Sequence, residues 1–307
     1  MTIKFRRRQI LIFLLFLYTA LILQYSSKAL TPPQAVKNIQ ISSTTDELIV
    51  HYLDIGRADC ILIQEPNGHT ILIDGGNESD SMYIQSYLFN LGIRKIDVLI
   101  ATHPHEDHIG SIDDIIYTFE IGKIYAPKVS YDSSSHINFI NSIAKKGYEI
   151  IYASAGDHFR VGDANFQILS PSKDKYASLN NYSLVTKLNF GNVSFLLMAD
   201  AQGKVLNEIM DSGYPLKSDV IKIGHHGDLV STPLNFLREV NPHIAVISVR
   251  NNSYNHPHLA TLSNLYLYNV ETYLTAGKGT VVMTTDGEEI KTSRSIYMNT
   301  DKESLSK

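Results

Sequence analysis

From Leu48 to about residue 285 the chain alternates short apolar runs with polar, glycine-bearing breaks. Runs of this length, rich in Ile, Val and Leu, predict buried strands. They fall at 48–53, 60–65, 70–73, 96–101, 121–125, 149–152, 165–169, 183–189, 193–198, 219–223, 244–249, 272–275 and 279–284. Stretches with helical spacing of apolar positions lie between them, at 80–91, 108–118, 134–146, 201–211, 232–239 and 258–269. Gly147 is a fitting C-terminal cap for the third of these helices. Asn67-Gly68 and Gly191-Asn192, each between two apolar runs, predict hairpin turns.

The order of these elements predicts the architecture. Hairpin strands come first, strand–helix alternation follows, and a second hairpin block leads into more alternation. Two sheets packed face to face with helices on both outer faces satisfy that order, an α/β four-layer αββα sandwich.

A different pattern precedes it. Ile10–Leu23 is one apolar stretch behind the basic cluster Lys4, Arg6, Arg7 and Arg8. This is the layout of a signal peptide or an uncleaved signal anchor. Counting the flanking Gln24 and Tyr25 brings it near the lower limit for crossing a bilayer. No clean cleavage site follows, which favours the anchor. The positive-inside rule then places the rest of the chain outside the cytoplasm. The expected division is 1–29 anchor or signal, 30–46 linker, 47–293 folded domain and 294–307 polar tail.

Composition narrows the chemistry. The hydrophobic share of 44% and charged share of 19% suit a globular fold with a sizeable core. Cys60, the single cysteine, excludes an intramolecular disulfide and a thiolate-rich metal site. Residues 1–29 hold five of the 27 Lys and Arg, which leaves 22 against 31 Asp and Glu in the body. An acidic body speaks against a broad nucleic-acid surface while leaving room for a local basic strip.

The segment His103-Pro104-His105-Glu106-Asp107-His108 follows a predicted buried strand. Imidazole and carboxylate together suit a borderline divalent cation. Alternation sends His103 and His105 to one side, leaving Asp107 and His108 for a second position, so one segment can feed two adjacent metals. Other candidates sit at other strand ends: Asp74, Asp200, the pair His225-His226, and His256 with His258.

This segment resembles the HxHxDH signature of the metallo-β-lactamase superfamily. More narrowly, the chain resembles the hydrolase domain of ComEC-type competence proteins. The matching blocks are His51–Asp59, Leu72–Gly76, Thr102–Gly110, Asn180–Leu188 with Asp200, Val220–Gly227 and Asn251–His258, across residues 47–285. The resemblance implies two divalent ions, Zn or Mn, with His103 and His105 on one, Asp107 and His108 on the other, and Asp200 bridging. His225 is expected to complete the first, with His226 as the alternative. His256 is expected to complete the second, with His258 as the alternative. Asp74 would hydrogen-bond a ligating histidine.

Asp107 or Asp59 would take the proton of the attacking water, and His226 or Tyr254 would steady the developing oxyanion. Asn181, Ser183 and Tyr254 are expected to meet substrate. The implied function is an extracytoplasmic dinuclear hydrolase, a phosphodiesterase with nucleic acid as first substrate. The alternatives are a phosphoesterase for an envelope polymer such as teichoic acid, or a non-catalytic binding module on the same fold. The expected partners are the substrate and, through the N-terminal helix, the membrane; no protein partner is implied. Four positions depart from the branch: Arg57-Ala58 stand for its Gln-Gly, Asp228 for its Ser, and Ala199 for its Gly.

Overall fold

The computed structural model describes residues 46–250, 255–275 and 279–293. Strands β1 (Leu48–Tyr52), β2 (Ile61–Gln64), β3 (Thr70–Ile73), β4 (Lys95–Ile100), β5 (Glu120–Ala126) and β6 (Ile150–Tyr152) build a first sheet. The chain then enters a second sheet with β7 (His158–Val161), β8 (Ala164–Ile168), β9 (Thr186–Phe190), β10 (Val193–Leu197), β11 (Val220–Lys222), β12 (Ile244–Ile247) and β13 (Glu271–Leu274). It returns to the first with β14 (Val281–Thr285) and β15 (Ile290–Thr292). The spatial orders are β15-β14-β1-β2-β3-β4-β5-β6 and β13-β12-β11-β10-β9-β8-β7.

Strand alternation sorts the apolar side chains into three cores. Val50, Ile63, Ile71, Ile100, Phe195, Leu197 and Val246 point between the sheets. Their neighbours Leu62, Leu72 and Leu99 point the other way, under the helices α1 (Ser81–Asn90), α2 (Glu106–Ile109), α3 (Ile112–Thr118) and α4 (Ser134–Lys146). Leu196, Ile221, Ala245 and Ile247 do the same on the second sheet, under α5 (Lys204–Asp211), α6 (Leu234–Val240) and α7 (Leu259–Leu267). Two sheets with helices outside each give the four layers. Each fully buried Leu or Ile adds about 1.5–3 kcal/mol, so the three cores together hold the sandwich.

Gly147 caps α4 in the left-handed conformation, and both hairpins form. Strands β7 and β15 have no counterpart in the apolar pattern. Strand β9 starts at Thr186 rather than 183, because Leu184 N–H donates across the site to Thr102 O at 3.0 Å.

Parallel pairing aligns the strand ends. Strands β3, β4 and β5 run parallel, as do β10, β11 and β12, so their C-terminal ends gather at one edge of the sandwich. Ligand sites in such sheets form beyond the carboxyl ends of the strands.

At the far edge the two sheets are tied turn to turn. Glu65, buried after β2, accepts Asn67 N–H at 2.9 Å and, from the other sheet, Asp163 N–H at 3.0 Å. Asn192 N–H donates to Gly287 O at 2.7 Å, and a Cβ on Gly191 would fall 2.7 Å from Gly287 Cα. Glycine is therefore required at 191 by close backbone approach.

Among the described residues no helix is long and apolar enough to cross a membrane. The proposed anchor or signal at 1–29, the linker up to residue 45 and the polar tail at 294–307 lie outside the described residues.

Candidate metal centre

Beyond β4 the chain bends at His103-Pro104, then enters α2 with His105, in extended conformation, at its N-cap. The His103 and His105 rings lie 4.7 Å apart, with His103 Nε2 3.0 Å from His105 Nδ1. The single turn of α2 then brings Asp107 and His108 near Asp200 and His226.

The second sheet supplies the facing half. Asp200 follows β10, with its N–H held by the Ser183 hydroxyl at 3.2 Å. After β11 the turn Gly224–Gly227 places His225 and His226 in the left-handed region, at φ 46° and 53°. That turn drives the His226 ring inward. Its Nδ1 lies 2.9 Å from the Ser248 carbonyl, which can only accept, so Nδ1 carries the proton and Nε2 faces the site with a lone pair.

Two donor groups sharing Asp200 result, besides a third, fully buried group of Asp59, Asp74 and His108. Asp107, His108, Asp200 and His226 form one, and His103, His105 and Asp200 form the other; within each group the donor atoms lie within 4.8 Å of one another. Asp200 belongs to both. His108 Nε2 and Asp200 Oδ1 are buried without hydrogen-bond partners and lie 3.3 Å apart. Lone pairs and carboxylate oxygens crowded in this way repel unless a cation sits among them, so the donor set fits divalent metal.

Asp74 fixes the His108 ring. Its Oδ2 accepts from His108 Nδ1 and from the Thr102 hydroxyl, each at 2.7 Å, while Oδ1 accepts Thr102 N–H at 2.8 Å. This leaves His108 Nε2 aimed at Asp200, the usual arrangement behind a ligating histidine.

Electrostatics support the same reading. Burial disfavours a charged His108, yet Asp200 and Asp74 outweigh it and raise its pKa well above the ordinary value. Two carboxylates that hold a proton so firmly favour any cation at that nitrogen. Burial pushes Asp107 up, but the neighbouring His226 and His108 bring it below the usual carboxylate range. Burial keeps His103 and His105 low, hence neutral and able to donate lone pairs.

Backbone strain gathers here too. Of the seven non-glycine residues described at positive φ, Asp74, Ala199, His225 and His226 line this site, and the other three are asparagines. Such conformations cost about 1–3 kcal/mol each and persist where surrounding structure enforces them.

Several expected residues stand elsewhere. His256 is outside both donor groups, with Nε2 3.7 Å from Asp228 Oδ1. His258 caps α7, its Nδ1 accepting Ala260 N–H at 3.1 Å. His226 takes the place expected for His256, because the left-handed turn aims it at Asp107, with Nε2 3.3 Å from Oδ2. His225 sits at the rim, Nε2 3.8 Å from Asp200 Oδ2 and Nδ1 3.4 Å from Asp228 Oδ2. Asp59 is buried, with Oδ2 accepting from Lys222 Nζ at 2.9 Å and Oδ1 3.9 Å from His226 Nδ1. Ser183, expected to meet substrate, is fully buried beneath Asp200. Asn181 is half-buried beside it, and Tyr254 lies outside the described residues.

Sequence reasoning missed Lys222. A lysine inside Val220-Ile221-Lys222-Ile223 was the available signal, since a buried strand keeps a charge only when it is paired. Ser248 was also missed, because a backbone carbonyl leaves no trace in residue type.

Residues 53–249 match the Lactamase_B family, described as the Metallo-beta-lactamase superfamily. ComE operon protein 3 of Bacillus subtilis is 29% identical over 250 residues, covering 76% of this chain and 32% of that protein. Recombination protein 2 of Haemophilus influenzae is 31% identical over 256 residues, covering 81% of this chain and 30% of that protein. The chain thus spans about a third of the length of these curated relatives. Among solved structures, the metallo-beta-lactamase fold protein YhfI from Bacillus subtilis superposes with a TM-score of 0.56 at 14% identity, over 78% of this chain and 100% of that one. At that identity the likeness speaks for the fold.

Proposed function

The chain belongs to the metallo-beta-lactamase superfamily and is a metal-dependent hydrolase; from that premise we propose an extracytoplasmic two-metal phosphodiesterase acting on nucleic acid. The observation that carries the reading is the pair of donor groups sharing Asp200. His103, His105 and Asp200 would hold one ion, and Asp107, His108, Asp200 and His226 the other, with Zn²⁺ or Mn²⁺ suited to this mixture. Bound divalent cations supply Lewis acidity and a water acidic enough to attack near neutral pH.

The chain's own groups supply the rest. Asp74 and the Ser248 carbonyl fix the tautomers of His108 and His226, so both Nε2 atoms stay aimed into the site. Asp107, the more exposed of the two carboxylates, is placed to take a proton from the attacking water, whereas Asp59 is committed to Lys222. His225 faces the open side beside Asn180, where a phosphoryl oxygen would develop charge. Support for nucleic acid comes from relatives named for recombination and competence. Support for an extracytoplasmic site comes from the basic-then-apolar N-terminus.

The test uses the full-length chain in detergent, loaded with Mn²⁺ or Zn²⁺ and offered bis-p-nitrophenyl phosphate. Turnover is expected, and Asp200→Ala should lower both metal content and turnover, the latter by about a thousandfold or more. Two ions per chain with no phosphodiester cleavage would reject the catalytic reading. A reporter fused to the C-terminus that is active only outside the cytoplasm tests the location.

A further inference from the structure

Beside the metal centre lies a cleft of about 490 Å³, walled by Arg57, Arg250, Asn77 and Tyr83. Arg57 links it to the donor groups, with Nη1 3.2 Å from Asp107 Oδ2. A substrate whose reacting phosphate sits against Asp107 must run its next unit past Arg57 or away from it.

The cleft carries two kinds of surface. Arg250 lays its guanidinium over Gly56, where a Cβ would fall 3.5 Å from Nε; Gly56 is at φ +87°. A second guanidinium thus lines the cleft together with Arg57. Arginine's planar fork suits phosphate oxygens. Two acidic residues also reach the cleft, and both accept from N–H donors. Asp80 Oδ2 accepts Asn77 N–H and side-chain amide at 2.9 Å each, and Asp54 Oδ2 accepts Gly279 N–H at 2.7 Å.

The other surface is aromatic. Tyr83 is 44% exposed, with its ring 6.2 Å from that of Tyr87 at 32°. Tyr87 is in turn pinned through its hydroxyl, 2.8 Å from His51 Nδ1. An exposed ring held against a half-buried one offers a fixed face for stacking. Guanidinium groups along a backbone track, with a ring to stack upon, form the pattern by which single strands are held without regard to sequence.

We propose that this cleft is a nucleotide subsite: Arg250 and Arg57 hold the phosphate next to the one being cut, and Tyr83 stacks its base. The inference rests on the phosphodiesterase reading for its purpose, while binding itself needs no turnover. It makes Arg57 a residue with two duties, steadying Asp107 and meeting substrate. Arg57 is for that reason left intact in the test.

The experiment measures anisotropy of a 5′-fluorescein oligothymidylate phosphorothioate with the full-length protein in detergent, alongside bis-p-nitrophenyl phosphate turnover. Arg250→Ala and Tyr83→Ala should each weaken strand binding about five- to tenfold, with turnover of the small ester within twofold of wild type. Arg250→Ala should also reduce the salt slope by about 0.7, the share of one single-strand phosphate contact. Strand affinity within twofold of wild type in either variant overturns the proposal. Equal displacement of the strand by poly(glycerol phosphate), with Tyr83→Ala binding as wild type, overturns it in favour of a plain anion site. The two readings fail separately. A wild type that cuts the strand while both variants bind it normally loses the cleft alone, and one that binds through these residues but cuts no phosphodiester loses the phosphodiesterase alone.

Discussion

His225 and His226 are adjacent, and direction alone separates them. The left-handed turn sends His226 to 3.3 Å from Asp107 and leaves His225 at the rim, against Asp228. His226→Ala should therefore lose close to one of two ions, read by elemental analysis of dialysed protein, whereas His256→Ala should keep both. Equal metal loss in the two variants would refute the assignment. The legibility of the site follows the same line. His103, His105, Asp107 and His108 could be read because they are close in sequence, on a bend and the helical turn that follows it. Outside regular structure side-chain direction does not follow from spacing, so the sequence pointed to the histidine pair without choosing between its members. Asp59 shows another limit: its residue type suits a proton acceptor, but its use is decided by Lys222, 163 positions away.

Strands β1 and β2 and helix α1 meet around His51, whose ring nitrogens lie 2.8 Å from Tyr87 Oη and 3.0 Å from Gln64 Oε1. Burial is the main cause that lowers the His51 pKa from 6.5 to about 4. The unfolded chain thus takes up a proton in a range where the folded one refuses it. Stability from this group is complete above pH 6.5 and is lost as pH falls toward 4, by about 3 kcal/mol at most. His51→Gln keeps polar contacts and removes the titration, so its urea midpoint should vary less across that window than wild type; identical pH profiles would refute this. Elements as such were legible where apolar residues run together, as in Ile61-Leu62-Ile63 and Ile71-Leu72-Ile73. Strand β7, His-Phe-Arg-Val, is short and mostly exposed, and it forms because β8 offers it a partner. Pairing of that kind leaves little hydrophobic pattern to read.

For the whole molecule, the metal centre is a seam. The first sheet carries His103 to His108 and Asp74, the second carries Asp200 and His226, and neither half is complete alone. Beneath the seam the buried ion pair of Lys222, on the second sheet, and Asp59, on the first, joins the same two layers. Lys222→Met strands the Asp59 carboxylate and should cost about 3–5 kcal/mol in urea unfolding at fixed metal. Adding Asp59→Leu should restore most of that loss, and a double variant no better than the single would show that the pair acts in some other way. The opposite edge, where Glu65 meets Asp163 and Gly191 meets Gly287, has a consequence for divergence. Those turns touch backbone to backbone or through a buried carboxylate, so one inserted residue at 191–192 would shift both sheets at once. The loops at 128–133 and 171–178 lie beyond strand ends at the metal edge and are mostly exposed. Length can be added there without disturbing the sandwich. Descendants of such a chain are free to change what reaches the ions by lengthening one rim, while the other stays fixed residue for residue.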